Sequence, residues 1–140
     1  MTRTPRDALA VLRKKAADGS LGTLCERLGI ELLVAHGSAV VDDALREPRD
    51  LDLAFGSSDR RADIVEIVAA LIDASAFEGI DVMDLRRAGD VARARALGPH
   101  SELMYEARPS LFTEAQIAAL TTEMESRYLR RRDLELMAQR

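Results

Sequence analysis

Apolar residues recur at helical spacing in the first part of the chain. The stripe over residues 5–17 predicts a helix, and Pro5 suits its first turn. Ser20 has a side chain that caps helices, and Gly29 is a residue that ends them, so a second short helix is predicted between the two. Cys25 lies on the apolar side of this helix and is expected to be a packing residue.

Three later stretches show the same spacing. Residues 60–73 carry the clearest apolar stripe, and residues 89–97 predict a shorter helix. A long helix is predicted from Thr113 to Ala138, because Thr113 and the glutamine three residues later have the spacing of a capping box. Met124 on this helix is expected to belong to the core. The apolar face of the helix consists of Ile117, Leu120 and Met124.

The segments between these helices predict strands. Residues 31–36 form an apolar run that stops at a Gly-Ser pair, and residues 50–55 alternate polar and apolar like a half-buried strand. Residues 79–85 predict a third strand, whereas residues 102–107 fit either a last strand or a helical turn. The order of the elements predicts an α/β or α+β fold, with a small mixed sheet flanked by helices.

Length and composition narrow the class of protein. The 140 residues fit a single domain over 1–140, and 47% hydrophobic and 31% charged residues are typical of globular proteins. The net charge of −4 argues against non-specific nucleic-acid binding, so no direct DNA binding is expected. Neither a signal-peptide pattern nor a long apolar run occurs. We therefore expect a cytoplasmic protein without a membrane span.

Three aspartates on the predicted strands are candidate metal ligands. Residues two apart in a strand point the same way, so Asp50 and Asp52 share one face, which we expect to be the open face of the sheet. Two carboxylates held this close repel unless a cation or proton intervenes, and Mg²⁺ prefers oxygen ligands. The alternation of the third strand places Asp81 on that same face and Asp84 on the core side. Asp50, Asp52 and Asp81 are therefore the predicted metal ligands.

The turn after the first strand adds a complementary part. A glycine at position 37 lets the backbone approach a phosphate closely, and the hydroxyl of Ser38 can donate to phosphate oxygens. His36 ends the buried strand and is expected to be a neutral core or loop residue. The arginines of residues 130–132 are expected to be a solvated helix face, with an acidic or RNA-bound partner as the alternative.

These residues resemble a known signature. Gly37-Ser38, eleven residues and then Asp50-Leu51-Asp52 resemble the Gly-Ser and Asp-x-Asp motif of the DNA polymerase β-like nucleotidyltransferase superfamily. Within it, the chain is similar to the minimal nucleotidyltransferases, often the antitoxin halves of toxin–antitoxin pairs with HEPN-domain ribonucleases. Residues 80–85 resemble the family's third-carboxylate strand, and the segment from 103 onward resembles its C-terminal half.

The resemblance implies a nucleotidyltransferase fold and an enzyme that transfers AMP from ATP to a hydroxyl of a HEPN-type toxin. It implies Mg²⁺ as the cofactor and is compatible with a homo-oligomer. Two alternatives stay open: a binding module that neutralises a toxin by contact alone, and a nucleotidyltransferase for small molecules such as aminoglycosides. The implied catalytic and metal-binding residues are Asp50, Asp52 and Asp81, and the implied nucleotide-binding residues are Gly37, Ser38 and Arg49.

The chain departs from the family pattern beside the Gly-Ser pair. Family members usually carry an arginine shortly after this pair, where the chain has Ala39-Val40. They also usually carry a serine just before the first aspartate, where the chain has Arg49. Arg46 or Arg49 is expected to supply the missing positive charge.

Overall fold

The computed structural model describes residues 3–41, 47–59 and 62–139. In this part of the chain, helices and strands follow an order that confirms the predicted α+β class, and residues 102–106 form a strand rather than a helical turn. The elements are α1 (Pro5–Asp18), α2 (Ser20–Leu28), β1 (Leu32–His36), β2 (Leu51–Gly56), α3 (Ile64–Ser75), β3 (Ile80–Asp84), α4 (Asp90–Ala96), β4 (Glu102–Glu106) and α5 (Leu111–Ala138).

The four strands form one mixed sheet in the order β3-β2-β1-β4. Strand β1 is antiparallel to both β2 and β4, and β2 is parallel to β3. Parallel neighbours require a crossover connection, which α3 provides between β2 and β3. The predicted small mixed sheet is thus confirmed, with β1 and β2 at its centre.

Helices α1, α2 and α3 cover one face of the sheet. The alternation of β2 turns Leu51, Leu53 and Phe55 to this face, where all three are buried in the larger core cluster. Cys25 is also buried there, and burial raises the pKa of its thiol to about 12. Its predicted role as a packing residue is therefore confirmed.

The other face of the sheet is covered at one end only. Leu32, Val34 and Ala54 are buried there against α4 and the first part of α5, in a smaller core cluster that includes Ala119. Further along the same strands, the face becomes polar at His36 and Asp52. The sequence predicted that the face carrying Asp52 would be open. In the structure, one half of this face is apolar and covered by helices.

Two predicted helix caps are wrong, although both helices begin within two residues of the predicted positions. Helix α5 begins before Thr113, because the Glu106 carboxylate accepts a hydrogen bond from the Phe112 N–H at 3.0 Å and so supplies the cap. Gln116 instead donates to the Leu97 carbonyl at 3.1 Å. At the start of α2, the glycine at position 19 takes the cap position, and the Ser20 hydroxyl donates to the preceding aspartate at 2.6 Å.

The prediction that Met124 lies in the core is also wrong. Helix α5 packs through Leu111, Phe112, Ala115 and Ala119, while Met124 is 57% exposed. From residue 127 to residue 139 every described side chain is exposed, so the helix continues past the core. Although α5 has 28 residues, neither it nor another helix in the described ranges is both long and apolar enough to cross a membrane.

Candidate active site

A row of three titratable side chains crosses the polar end of the second sheet face. His36 on β1 is the register partner of Asp52 on β2, and Asp52 is the partner of Asp81 on β3. Strands in a sheet lie roughly 5 Å apart, and register partners project to the same side. The structure therefore brings Asp52 and Asp81 together, as the strand alternation predicted.

Strand β3 turns Asp84 away from this row. Asp84 pairs with Phe55, whose side chain is in the core beneath the opposite face. The Asp84 carboxylate accepts a hydrogen bond from the Arg86 N–H at 3.0 Å and lies 3.8 Å from the Arg87 guanidinium. Asp84 thus closes the turn after β3, which leaves Asp81 as the strand's only carboxylate on the side of Asp52.

The pKa of Asp52 is raised at its position between Asp50 and Asp81. Asp52 is half-buried, whereas Asp50 and Asp81 are exposed. Burial is the main cause that raises the pKa of the Asp52 carboxyl; His36 opposes the rise, and the charges of Asp81 and Asp50 add to it. A cation at this position would relieve both the repulsion and the cost of burial.

Gly37 forms the wall against which the Asp52 carboxylate lies. Its φ of 77° is in the left-handed region, and a Cβ added to it would lie 2.2 Å from Asp52 Oδ2. Glycine is therefore required both for the backbone conformation and for the space that the carboxylate occupies. This contact joins the Gly-Ser turn to the Asp-x-Asp strand, which are distant in sequence.

A cleft of about 420 Å³ opens beside this contact. Ser38 and Arg49, both exposed, offer hydrogen-bond donors at its edge, so the structure brings these two predicted nucleotide-binding residues together. Arg46, the other candidate for the missing charge, lies outside the described residues. The residues that line the cleft are Ser38, Glu47, Arg49, Asp50 and Asp52.

His36 belongs to the site, which the sequence did not indicate. Its Nε2 is buried and has no hydrogen-bond partner among the residues that the structure describes. Burial lowers the pKa of the imidazole, and the charges of Asp52 and Asp81 oppose this shift. The neutral form agrees with the expected core-like environment, but only the pairing of β1 with β2 reveals that His36 lies beside Asp52.

The chemistry of the site fits Mg²⁺ that arrives together with a phosphate ligand. Carboxylate oxygens are suitable donors, yet no group of three His, Cys, Asp or Glu side chains in the described part of the chain is placed to hold a metal by itself. Mg²⁺ is commonly bound by one or two carboxylates and completes its shell with water and substrate phosphates. The pair Asp52 and Asp81 is sufficient for that mode of binding.

Comparisons with known proteins support the fold. No protein-family model matches the sequence, and no curated protein does either. Among solved structures, the complex of a tri-AMPylated Shewanella oneidensis HEPN toxin with an MNT antitoxin matches with a TM-score of 0.63 and 14% identity. The match covers 90% of this chain and 98% of that chain. The chain has the fold of a minimal nucleotidyltransferase.

Two further structures share this MNT fold. A toxin–antitoxin complex with AMP-PNP matches with a TM-score of 0.63 and 15% identity, over 84% of this chain and 95% of that chain. The MntA–HepT toxin–antitoxin complex matches with a TM-score of 0.60 and 14% identity, over 86% and 96% respectively. The resemblance found in the sequence is thus confirmed for the fold, and the roles of individual residues rest on the geometry of this chain.

Proposed function

We propose that the protein is a Mg²⁺-dependent nucleotidyltransferase that transfers AMP from ATP to a hydroxyl of a HEPN-type toxin and thereby acts as its antitoxin. The observation that carries this proposal is the placement of Asp52 and Asp81 side by side next to the turn at Gly37. Among the structures with the same fold, one contains AMP-PNP and another a tri-AMPylated HEPN toxin, which supports both the donor and the acceptor.

Each site residue has a part in binding the nucleotide. Ser38 and Arg49 would donate hydrogen bonds to phosphate oxygens from the edge of the cleft. Asp52 and Asp81, with Asp50 beside them at the cleft, would hold Mg²⁺ together with phosphate oxygens of the nucleotide. The bound ion would neutralise phosphate charge and the developing charge on the leaving group. Without a cation, three carboxylates would repel the triphosphate.

The transfer step exchanges one bond for another at the α-phosphorus of ATP. The hydroxyl oxygen of the acceptor forms a bond to this phosphorus, while the bond from the phosphorus to the oxygen leading to the β-phosphate breaks. Pyrophosphate leaves, and the hydroxyl proton passes to the exposed carboxylate of Asp81. Positioning and charge neutralisation account for most of the catalysis in such transfers.

One observation favours a second candidate, in which the chain neutralises the toxin by contact alone. Ala39 is buried in the core, and Val40 packs against the same cluster. These apolar residues occupy the place where the resembled family usually carries an arginine. Positions 39 and 40 of the turn therefore contribute no cation to phosphate binding.

Labelling of a purified HEPN-type toxin separates the two candidates. With ATP labelled at the α-phosphate and Mg²⁺, the toxin should acquire label, and Asp52→Asn should abolish it because the central carboxylate is lost. Asp84→Asn is the matched control, since Asp84 faces away from the site on the neighbouring strand. If the toxin is neutralised but never labelled, or if Asp52→Asn labels it as well as the wild type, the enzyme proposal is wrong.

A further inference from the structure

A second cleft adjoins the carboxylate cleft along the segment that leads into β2. Its volume is about 340 Å³, and it shares Glu47 and Arg49 with the cleft beside Asp52. We call it the arginine cleft, because Arg3, Arg6 and Arg49 line it against a single carboxylate, that of Glu47. The other residues that line it are Thr4, Pro5, Pro48 and Phe77.

Two of these arginines are carried by the start of α1, which the core holds in place. Ala8 and Leu9, one turn further along the helix, are buried. The Asp7 N–H donates to the Thr4 hydroxyl and the Thr4 N–H donates to the Asp7 carboxylate, each at 3.1 Å. Asp7 is thus engaged in the helix cap, and its side chain does not line the cleft.

Arg6 joins the arginine cleft to the Gly-Ser turn. Its guanidinium donates to the Val41 carbonyl at 3.4 Å, although the two residues are 35 positions apart. Val41 follows Ser38 by three residues, in the loop whose positions 39 and 40 contribute no cation. Helix α1 therefore brings to this loop a positive charge that the loop itself does not supply.

The two clefts together match the charge of a metal-bound triphosphate. A cation held by Asp52 and Asp81 would neutralise the part of the ligand nearest the carboxylates, and the remaining phosphates need positive charge of their own. Guanidinium groups suit phosphate oxygens, because their fork of N–H donors matches the phosphate geometry. The arginine cleft is also too small to seat a helix of a partner protein, which is roughly 10 Å across with its side chains.

We propose that the arginine cleft binds the β- and γ-phosphates of the nucleoside triphosphate and retains them as the leaving pyrophosphate. The inference rests on the proposed function and names the residues that hold its leaving group. When the bond between the α-phosphorus and the bridging oxygen breaks, negative charge develops on the β-phosphate. Arg3, Arg6 and Arg49 would stabilise this charge. A nucleoside monophosphate lacks both groups and would not reach the cleft.

Calorimetry in the presence of Mg²⁺ tests this assignment with ATP and inorganic pyrophosphate as probes. Arg3→Gln/Arg6→Gln should weaken the binding of both roughly tenfold or more, because charged contacts to the phosphates are lost. AMP, measured as a competitor of ATP, should keep its affinity. Arg131→Gln/Arg132→Gln is the matched control, since it removes the same charge from α5, which lines neither cleft. Unchanged ATP affinity, an equal loss for AMP, or an equal loss in the control would overturn the proposal.

The single substitution Arg3→Gln separates phosphate binding from support of the loop. Arg6 donates to Val41, whereas no hydrogen bond within the described part of the chain links Arg3 to the loop. If both arginines bind phosphate, Arg3→Gln alone should weaken ATP binding severalfold, and Arg6→Lys should bind ATP more tightly than Arg6→Gln. If Arg3→Gln binds ATP like the wild type, Arg6 acts only on the loop, and the proposal is wrong.

Labelling of a HEPN-type toxin distinguishes this proposal from the proposed function. If the wild type binds ATP through the arginines but never labels the toxin, the transfer is wrong and the phosphate assignment stands. If Arg3→Gln/Arg6→Gln binds ATP normally but loses the toxin, the cleft holds an acidic segment of the partner protein, and only the phosphate assignment is wrong. Single-stranded RNA that binds the wild type and not this variant, with ATP binding unchanged, would likewise replace the triphosphate as the occupant.

Discussion

Two ends of one sheet face carry opposite chemistry. Val34 and Ala54 are register partners that are fully buried beneath α4 and α5. Two residues along the same strands, His36 and Asp52 are also register partners, yet they lie at the uncovered end beside Gly37. The strands and their pairing are the same at both ends, so the helices that cover the face account for the difference.

The two ends of the sheet face contribute differently to stability and to the chemistry of the candidate site. The covered end buries apolar surface, which stabilises the domain. At the uncovered end, carboxylates crowd together and the pKa of Asp52 is raised, chiefly by burial, so this end is expected to reduce the stability of the metal-free fold. Sites that bind charged ligands commonly carry such a cost.

The largest effect on stability is expected when a carboxylate is placed at the covered end of the sheet face. Ala54→Asp would bury a charge that has no partner beneath α4 and α5. We expect a loss of about 3–5 kcal/mol in the free energy of unfolding, as for other uncompensated buried charges. Urea denaturation measures this loss, and Ala54→Val is the control for added volume without charge. A well-folded Ala54→Asp variant of unchanged stability would show that the two ends are equivalent.

The second largest effect is expected from a substitution of Gly37, which lies against the Asp52 carboxylate. Gly37→Ala combines the strain of a positive φ with a Cβ that would displace the Asp52 carboxylate. Gly19→Ala is the matched control, because its φ is 87° and nothing lies within 4 Å of an added Cβ. Both variants should lose about 1–2 kcal/mol of stability from backbone strain. Only Gly37→Ala should lose Mg²⁺-dependent ATP binding, and equal binding by the two variants would refute the role of this contact.

The smallest effect is a gain in stability from Asp52→Asn. Because the folded pKa of Asp52 lies above its ordinary value of 3.8, the folded protein keeps this proton to higher pH than the unfolded chain. The carboxyl therefore lowers stability as the pH rises through that window, and the cost persists at neutral pH. Thermal unfolding should show Asp52→Asn more stable at pH 7, with the gain shrinking as the pH approaches 3.8. A destabilised variant at pH 7 would contradict the cost assigned to this half-buried carboxylate.

Local periodicity predicted most of the fold and part of the site. The alternation along β2 and β3 was sufficient to choose Asp81 over Asp84, because strand phase is a property of a few consecutive residues. Contacts between distant segments could not be predicted in this way. The position of His36 beside Asp52 depends on how β1 pairs with β2, and the closeness of Gly37 to Asp52 depends on the same pairing.

Periodicity also could not tell which apolar face of α5 is buried. The stripe containing Met124 satisfies the pattern of a core-facing helix, but the residues of α5 that pack are Leu111, Phe112, Ala115 and Ala119. Small residues permit close approach to the neighbouring helix. A sequence pattern alone does not show whether the side with the alanines or the side with the larger apolar residues faces the core. Only the packing of Ala119 shows that Ile117, Leu120 and Met124 face solvent.

Calorimetry of ATP binding tests the central claim most directly, that the uncovered acidic end of the sheet face is a metal–nucleotide site. The account predicts binding of ATP in the presence of Mg²⁺, and loss of that binding in EDTA and in Asp50→Asn/Asp52→Asn. Asp84→Asn should bind ATP like the wild type, because Asp84 lies on the other face. Binding of equal strength with and without Mg²⁺, or binding that survives the double substitution, would contradict it.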